Sequence, residues 1–148
     1  MSIESPCSIS RSLSVLGERW TFLILREAFG GTTKFAQFRD ALAVAPDVLA
    51  DRLNTLVEYG VMSREPYQVP GSRSRFEYHL TPAGRELQVV LGALQQWGDE
   101  HLPWCDGPTV VRRTRDGERP VHVGFVEADG NEVDAADVVF LRTPAYPT

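Results

Sequence analysis

The chain has 148 residues, 43% apolar and 24% charged, enough for one domain with a buried core and a small appendage. Its longest apolar run is far too short to span a bilayer, and its start lacks a basic-then-apolar leader pattern, so a cytoplasmic protein is expected. The net charge of −5 argues against a nucleic-acid ligand until its placement is seen: residues 1–82 hold nine Lys/Arg against nine Asp/Glu, and residues 83–148 hold six against eleven.

A neutral half can bind a duplex if its cations share a face. Lys34, Arg39, Arg52, Arg64, Arg73 and Arg75 are the candidates, and scattered solvated charge is the plain alternative.

Residues 8–16 read as a short helix with Ile9, Leu13 and Leu16 on one face, stopped by Gly17. Arg19 to Phe29 is apolar nearly all round, which predicts a helix buried at the centre of the domain and ended by Gly30-Gly31. Thr33 lies in the N-cap region of a helix over 35–42, whose Phe35, Phe38 and Leu42 line one face. After a turn at Ala43-Val44-Ala45, Pro46 and Asp47 suit the first turn of a helix running to about Tyr59, with Val48, Leu49, Leu53, Leu56 and Val57 as its apolar positions. Two β-type runs over 62–81 flank a Pro70-Gly71-Ser72 turn, with Arg73 and Arg75 at its tip. Strand alternation predicts these two arginines on the same face.

Helix, tight turn, helix and basic-tipped hairpin are the parts of a winged helix-turn-helix, in which the second helix enters the major groove and the wing touches the adjacent backbone. Thr81-Pro82 then starts a last helix to about Leu102, with Leu87, Val90, Leu91, Leu94 and Trp97 as a continuous apolar stripe. Such a stripe in a small domain suits a partner helix; core packing is the other reading. From Gly107 the period changes: Val110-Val111, 121–126 and 138–141 read as three short strands of a small antiparallel sheet, separated by Asp116-Gly117 and Asp129-Gly130-Asn131 turns. The expected class is therefore α+β, with a winged-helix and dimerisation domain over 1–106 and a β-rich extension over 107–148.

The residue runs also resemble a known family. Cys7-Ser8-Ile9, the run from Leu16 to Glu27, Phe35-Ala36-Gln37-Phe38, the run from Val48 to Leu53, Leu56 to Val61, and Tyr78 to Leu87 stand in the order and spacing of the HxlR-type winged-helix transcription regulators, relatives of the MarR group. The resemblance covers residues 7 to about 102 and leaves the extension aside. It implies a homodimer, more often a repressor, that reads a palindromic DNA operator with the helix at 46–59 and the wing at 62–81. It also implies responses to electrophiles, oxidants or metabolites, with a cysteine near the position of Cys7. The turn Ala45-Pro46-Asp47 departs from the Ser or Lys that the family often carries there.

The candidate DNA-binding residues are Lys34, Asp47, Arg52, Arg64, Arg73 and Arg75. Arg52 suits a phosphate or guanine contact, or an ion pair with Glu58. Asp47 suits the helix start, or the amino group of a cytosine. Leu87, Leu91, Leu94 and Trp97 are the dimerisation candidates. Cys7, just before a helix, is a redox candidate with Cys105; both being incidental is the alternative. Trp20, Phe22, Phe29, Phe35, Phe38 and Trp97 suit the core, or an interhelical pocket for a small effector. No Cys/His cluster calls for a metal or cofactor, and no nucleophile–base or paired-carboxylate pattern calls for catalysis. Two further functions stay open: a thiol- or small-molecule-responsive sensor acting through Cys7 or a pocket, and a protein-interaction module that has lost DNA binding.

Overall fold

The computed structural model describes residues 3–146, which fall into two compact units, one reaching to Gln88 and one from Val89 onward. Helix α1 spans Ser8–Leu16, α2 Arg19–Phe29, α3 Phe35–Leu42 and α4 Pro46–Glu58; strands β1 (Met62–Tyr67) and β2 (Arg75–Leu80) follow, then α5 (Pro82–Glu86). In the first unit α2, α3 and α4 pack on one another over Ile24, Leu25, Phe38, Leu49, Leu53 and Leu56, all fully buried, and Met62 of β1 and Tyr78 of β2 close that core from the hairpin side. Helix α2 is less enclosed than its all-round apolar sequence predicts. Only Thr21, Ile24 and Leu25 are buried, while Trp20, Phe22 and Leu23 keep part of their surface.

The chain's stops and starts have local causes. Lys34, not Thr33, is the N-cap of α3, and its N–H donates to Gln37 Oε1 at 3.1 Å. Helix α4 ends in a Schellman arrangement: Val61 N–H donates to the Leu56 carbonyl at 2.9 Å and Gly60 N–H to Val57 at 3.1 Å, with Gly60 at φ +70°. The turn between α3 and α4 runs through Ala43 in the left-handed region, the one non-glycine residue there among those described.

Strands β1 and β2 pair antiparallel from Met62↔Leu80 to Tyr67↔Arg75. At the tip, Ser72 N–H donates to the Val69 carbonyl at 3.0 Å across Pro70 and Gly71, the latter at φ +80°. Proline before a positive-φ glycine makes this a type II turn. Tyr78 N–H donates to the Thr33 carbonyl at 2.8 Å and Lys34 bridges Glu77, so the residues before α3 edge the hairpin as a third partner. Thr81 caps α5 as its sequence suggests: its hydroxyl accepts from Gly84 N–H at 3.0 Å and donates to the Gly60 carbonyl at 2.6 Å. Gly84 is required by close approach, since a Cβ there would stand 2.0 Å from the Val61 carbonyl oxygen.

The single last helix expected over 82–102 is two helices, α5 and α6 (Gln88–His101), separated at Leu87. Helix α6 buries none of its residues, although the extension lies against one of its faces. Gln96 forms a reciprocal pair with the backbone of Val123, its Nε2 donating to the carbonyl at 3.0 Å and its Oε1 accepting from the N–H at 2.9 Å. A Cβ on Gly92 would be 3.0 Å from Val123, and Asp99 reaches Arg112 at 3.5 Å. Positions 92, 96 and 99 are one helical face, which holds the extension.

The extension has far less sheet than the three expected strands. β3 is Phe125–Val126 and β4 Glu132–Val133, paired antiparallel, with an isolated bridge from Arg113 to Pro120 and a 3₁₀ turn at Ala135–Asp137. Val110-Val111 is irregular, and residues 138–141 are unpaired. Valine-rich runs fit a strand only where a partner edge exists, and the turns here consume the residues between them. One such turn is held by Thr114 and Asp116; the hydrogen bond from the Thr114 hydroxyl, then that from the Glu118 N–H, holds the Asp116 carboxyl below its ordinary range.

Candidate nucleic-acid interface

Helix α4 sets its apolar residues Leu49, Leu53 and Leu56 into the core, which fixes what it turns outward. Asp47, Asp51, Asn54 and Glu58 are all exposed and fall three or four residues apart, on one outward stripe. Asn54 is the residue that the sequence reading passed over. The signal was its spacing of seven from Asp47, opposite the leucine face. An asparagine amide both donates and accepts, the pattern that matches an adenine edge.

Arg52 lies beside this stripe with its side chain largely covered. It pairs with the Asp51 carboxylate and lies 3.9 Å from that of Glu18, rather than pairing with Glu58. Lys34 is likewise engaged, 3.9 Å from Glu77 and over the ring of Tyr67 at 4.9 Å. Arg64, on β1, stacks over the ring of Phe76 at 4.6 Å. Arg39 pairs with Asp40 at 2.9 Å.

The two wing arginines differ from these. Arg73 and Arg75 are exposed, and neither side chain has an ion-pair or hydrogen-bond partner among the described residues. Arg75 begins β2, whereas Arg73 lies in the connection before it, so strand alternation does not govern the pair. Arg75 also borders a cleft of about 530 Å³ between α3 and the hairpin, lined with Phe35, Arg39, Tyr67, Phe76 and Tyr78. Phe35 is thus turned to a concavity, while Phe38 is core and Trp97 is exposed. Trp20, Phe22 and Phe29 are half-buried on α2.

Of the dimerisation candidates, Leu94 is 50% and Trp97 57% exposed; with Val90 they form a stripe on the face of α6 opposite Gln96. Leu87 instead lines a concavity of the first unit with Val15, Leu16 and Val61, and Leu91 is half-buried. Cys7 is the half-buried N-cap of α1, and Cys105 is exposed. Among the described residues no cluster of His, Cys, Asp and Glu could hold a metal, and no helix is long and apolar enough to cross a membrane.

A trihelical core, an outward-turned second helix and an antiparallel wing define a winged helix-turn-helix protein of the transcription-regulator class. Residues 15–105 match the HxlR-like helix-turn-helix family, and the chain belongs to it. It is similar to the HTH-type transcriptional regulator Rv3095 of Mycobacterium tuberculosis, 46% identical over 140 residues that cover 94% of this chain and 87% of that protein. The crystal structure of PA1607, assigned as a transcription factor, superposes with a TM-score of 0.81 at 37% identity, over 95% of this chain and 98% of that one. The redox regulator HypR in its oxidised form matches at a TM-score of 0.57 and 29% identity, over 64% of this chain and 97% of HypR. The chain is thus an HxlR-type, DNA-binding transcriptional regulator.

Proposed function

We propose that the protein is a homodimeric repressor that reads a palindromic operator, with α4 in the major groove and the β1–β2 wing on the flanking phosphates. The observation that carries this is the pair Arg73 and Arg75. They are exposed at the hairpin end and have no carboxylate partner to give up on meeting a phosphate. The outward stripe of α4 is acidic except at Asn54, so affinity comes from the wing and base reading from Asn54, with Asp47 or Asp51 accepting from a cytosine amino group. Arg52 ties α4 to Glu18, the N-cap residue of α2. The exposed Val90, Leu94 and Trp97 stripe of α6 supplies the subunit seam. Fluorescence anisotropy against duplexes from the protein's own upstream region tests the reading: tight binding there and weak binding to unrelated duplexes of equal length is the expected result, and equal binding to both counts against it.

A second reading has its own observation. Cys7 is the half-buried N-cap residue of α1, and HypR is a redox regulator. In this reading oxidation or alkylation of Cys7 releases DNA. Diamide should then weaken operator binding of the native protein and leave Cys7→Ser unaffected; an equal response of both proteins excludes the thiol.

A further inference from the structure

The cleft between α3 and the hairpin, about 530 Å³, falls within the ~300–1,000 Å³ of small-molecule sites. One wall is Phe35 and Arg39 of α3; the other is Tyr67 of β1 with Arg75, Phe76 and Tyr78 of β2. Four aromatic rings and two guanidiniums therefore face one space, and no carboxylate among the described residues lines it. Phe76 is 42% exposed, a large apolar ring left wet for a guest to cover. Two further cations back the rings: Arg64 lies over Phe76 at 4.6 Å and Lys34 over Tyr67 at 4.9 Å, and neither lines the cleft. Of the nearby carboxylates, Glu77 lies 3.9 Å from Lys34 and 3.3 Å from His79. Asp40 pairs with Arg39 at 2.9 Å in water, a pair worth little against a bidentate anion. The Arg75 side chain has no ion-pair or hydrogen-bond partner among the described residues. A recess with a cation on each wall concentrates anions.

We propose that this cleft binds a planar aromatic carboxylate of two fused rings, with the carboxylate on Arg39 and Arg75 and the rings against the aromatic side chains. Offset and edge contacts between rings add to the burial of their area, which an aliphatic acid forgoes. Aromatic side chains stand on both walls, so two fused rings cover more of them than one ring does. The planar guanidinium fork matches a carboxylate, which a neutral ring of the same shape lacks. Arg75 is also one of the wing cations placed on the operator phosphates, so ligand and phosphate compete for it. Occupancy of the cleft therefore weakens duplex binding, and a bound duplex weakens occupancy by the same factor. The competition rests on the operator reading; the ligand site itself does not.

Isothermal titration calorimetry of the full chain with 2-naphthoate, without DNA, tests the site. The native protein should bind it with a dissociation constant of about 1 mM or tighter, given the usual efficiency of a ligand of this size. The alcohol 2-naphthalenemethanol lacks the charge and cyclohexanecarboxylate lacks the rings, so both should bind more weakly. Arg39→Gln and Arg75→Gln should each weaken 2-naphthoate by about tenfold or more, the usual worth of a charge-assisted hydrogen bond. Arg73→Gln, whose side chain does not line the cleft, should bind as the native protein does. All three arginines are exposed, so these variants should fold as the native chain does. Native, Arg39→Gln and Arg75→Gln proteins with equal affinity overturn the proposal, as does equal binding of acid and alcohol. Duplex titrations with and without 2-naphthoate test the competition: the native protein should lose duplex affinity, and Arg39→Gln should respond far less at the same concentration. Independent binding of 2-naphthoate and duplex overturns the shared use of Arg75. A protein that binds 2-naphthoate but no duplex overturns the operator reading and supports the ligand site.

Discussion

Removing the wing cations, Arg73→Ala with Arg75→Ala, isolates the electrostatic part of duplex binding. Both side chains are exposed and have no ion-pair or hydrogen-bond partner among the described residues, so the substitution breaks no polar side-chain contact and stability should change little. Each phosphate neutralised on a duplex contributes about 0.9 to the slope of log K against log salt, so two lost contacts per wing lower the slope by roughly 1.8, and two wings by roughly 3.6. Over a fourfold rise in salt, from about 0.05 to 0.2 M, the native protein should therefore lose on the order of 150-fold more affinity than the variant. Lys34, Arg39 and Arg52 already face carboxylates, so their single substitution should change the slope by less. Anisotropy titrations of both proteins on one duplex across the salt series supply the two slopes. Parallel slopes would refute the placement of the wing on phosphates.

Three further outcomes are expected. Asn54→Ala should cost roughly 1–3 kcal/mol of discrimination between operator and mismatched duplex while leaving non-specific affinity unchanged, as read by competition binding. Leu94→Asp should convert the dimer to monomer at micromolar concentration, seen by light scattering, because a charge in an apolar seam has no partner. Gly84→Ala should lower stability by roughly 1–3 kcal/mol, since its methyl would meet the Val61 carbonyl oxygen and one of the two backbones must move; chemical denaturation reads this directly.

The winged helix was legible because each part carries its own local cause. Gly60 stops α4 through positive φ, Pro70-Gly71 dictates a type II turn, and Thr81-Pro82 announces a helix start. The leucine spacing of α4 fixed its buried face, and with it the outward stripe, although the sequence reading followed charge and so missed Asn54. Ion pairing was less legible. Arg52 meets Glu18, thirty-four positions away, and no periodicity announces a contact between separate elements. The break at Leu87 was hidden for the opposite reason, since the apolar spacing continues across it while Leu87 itself turns into the first unit. In the extension, valine-rich runs suggested strands at 110–111, 121–126 and 138–141, but strand propensity reports a fit to a partner edge, and within one chain only 125–126 finds one.

Selection of bound duplexes from a random pool by the purified protein, followed by sequencing, tests the central claim most directly. A helix from each subunit entering successive major grooves should enrich a two-fold-symmetric site whose half-sites are centred about one helical turn, ~10 bp, or a multiple of it apart. An enriched site without two-fold symmetry, or no enrichment over the starting pool, would contradict a dimeric, sequence-reading regulator.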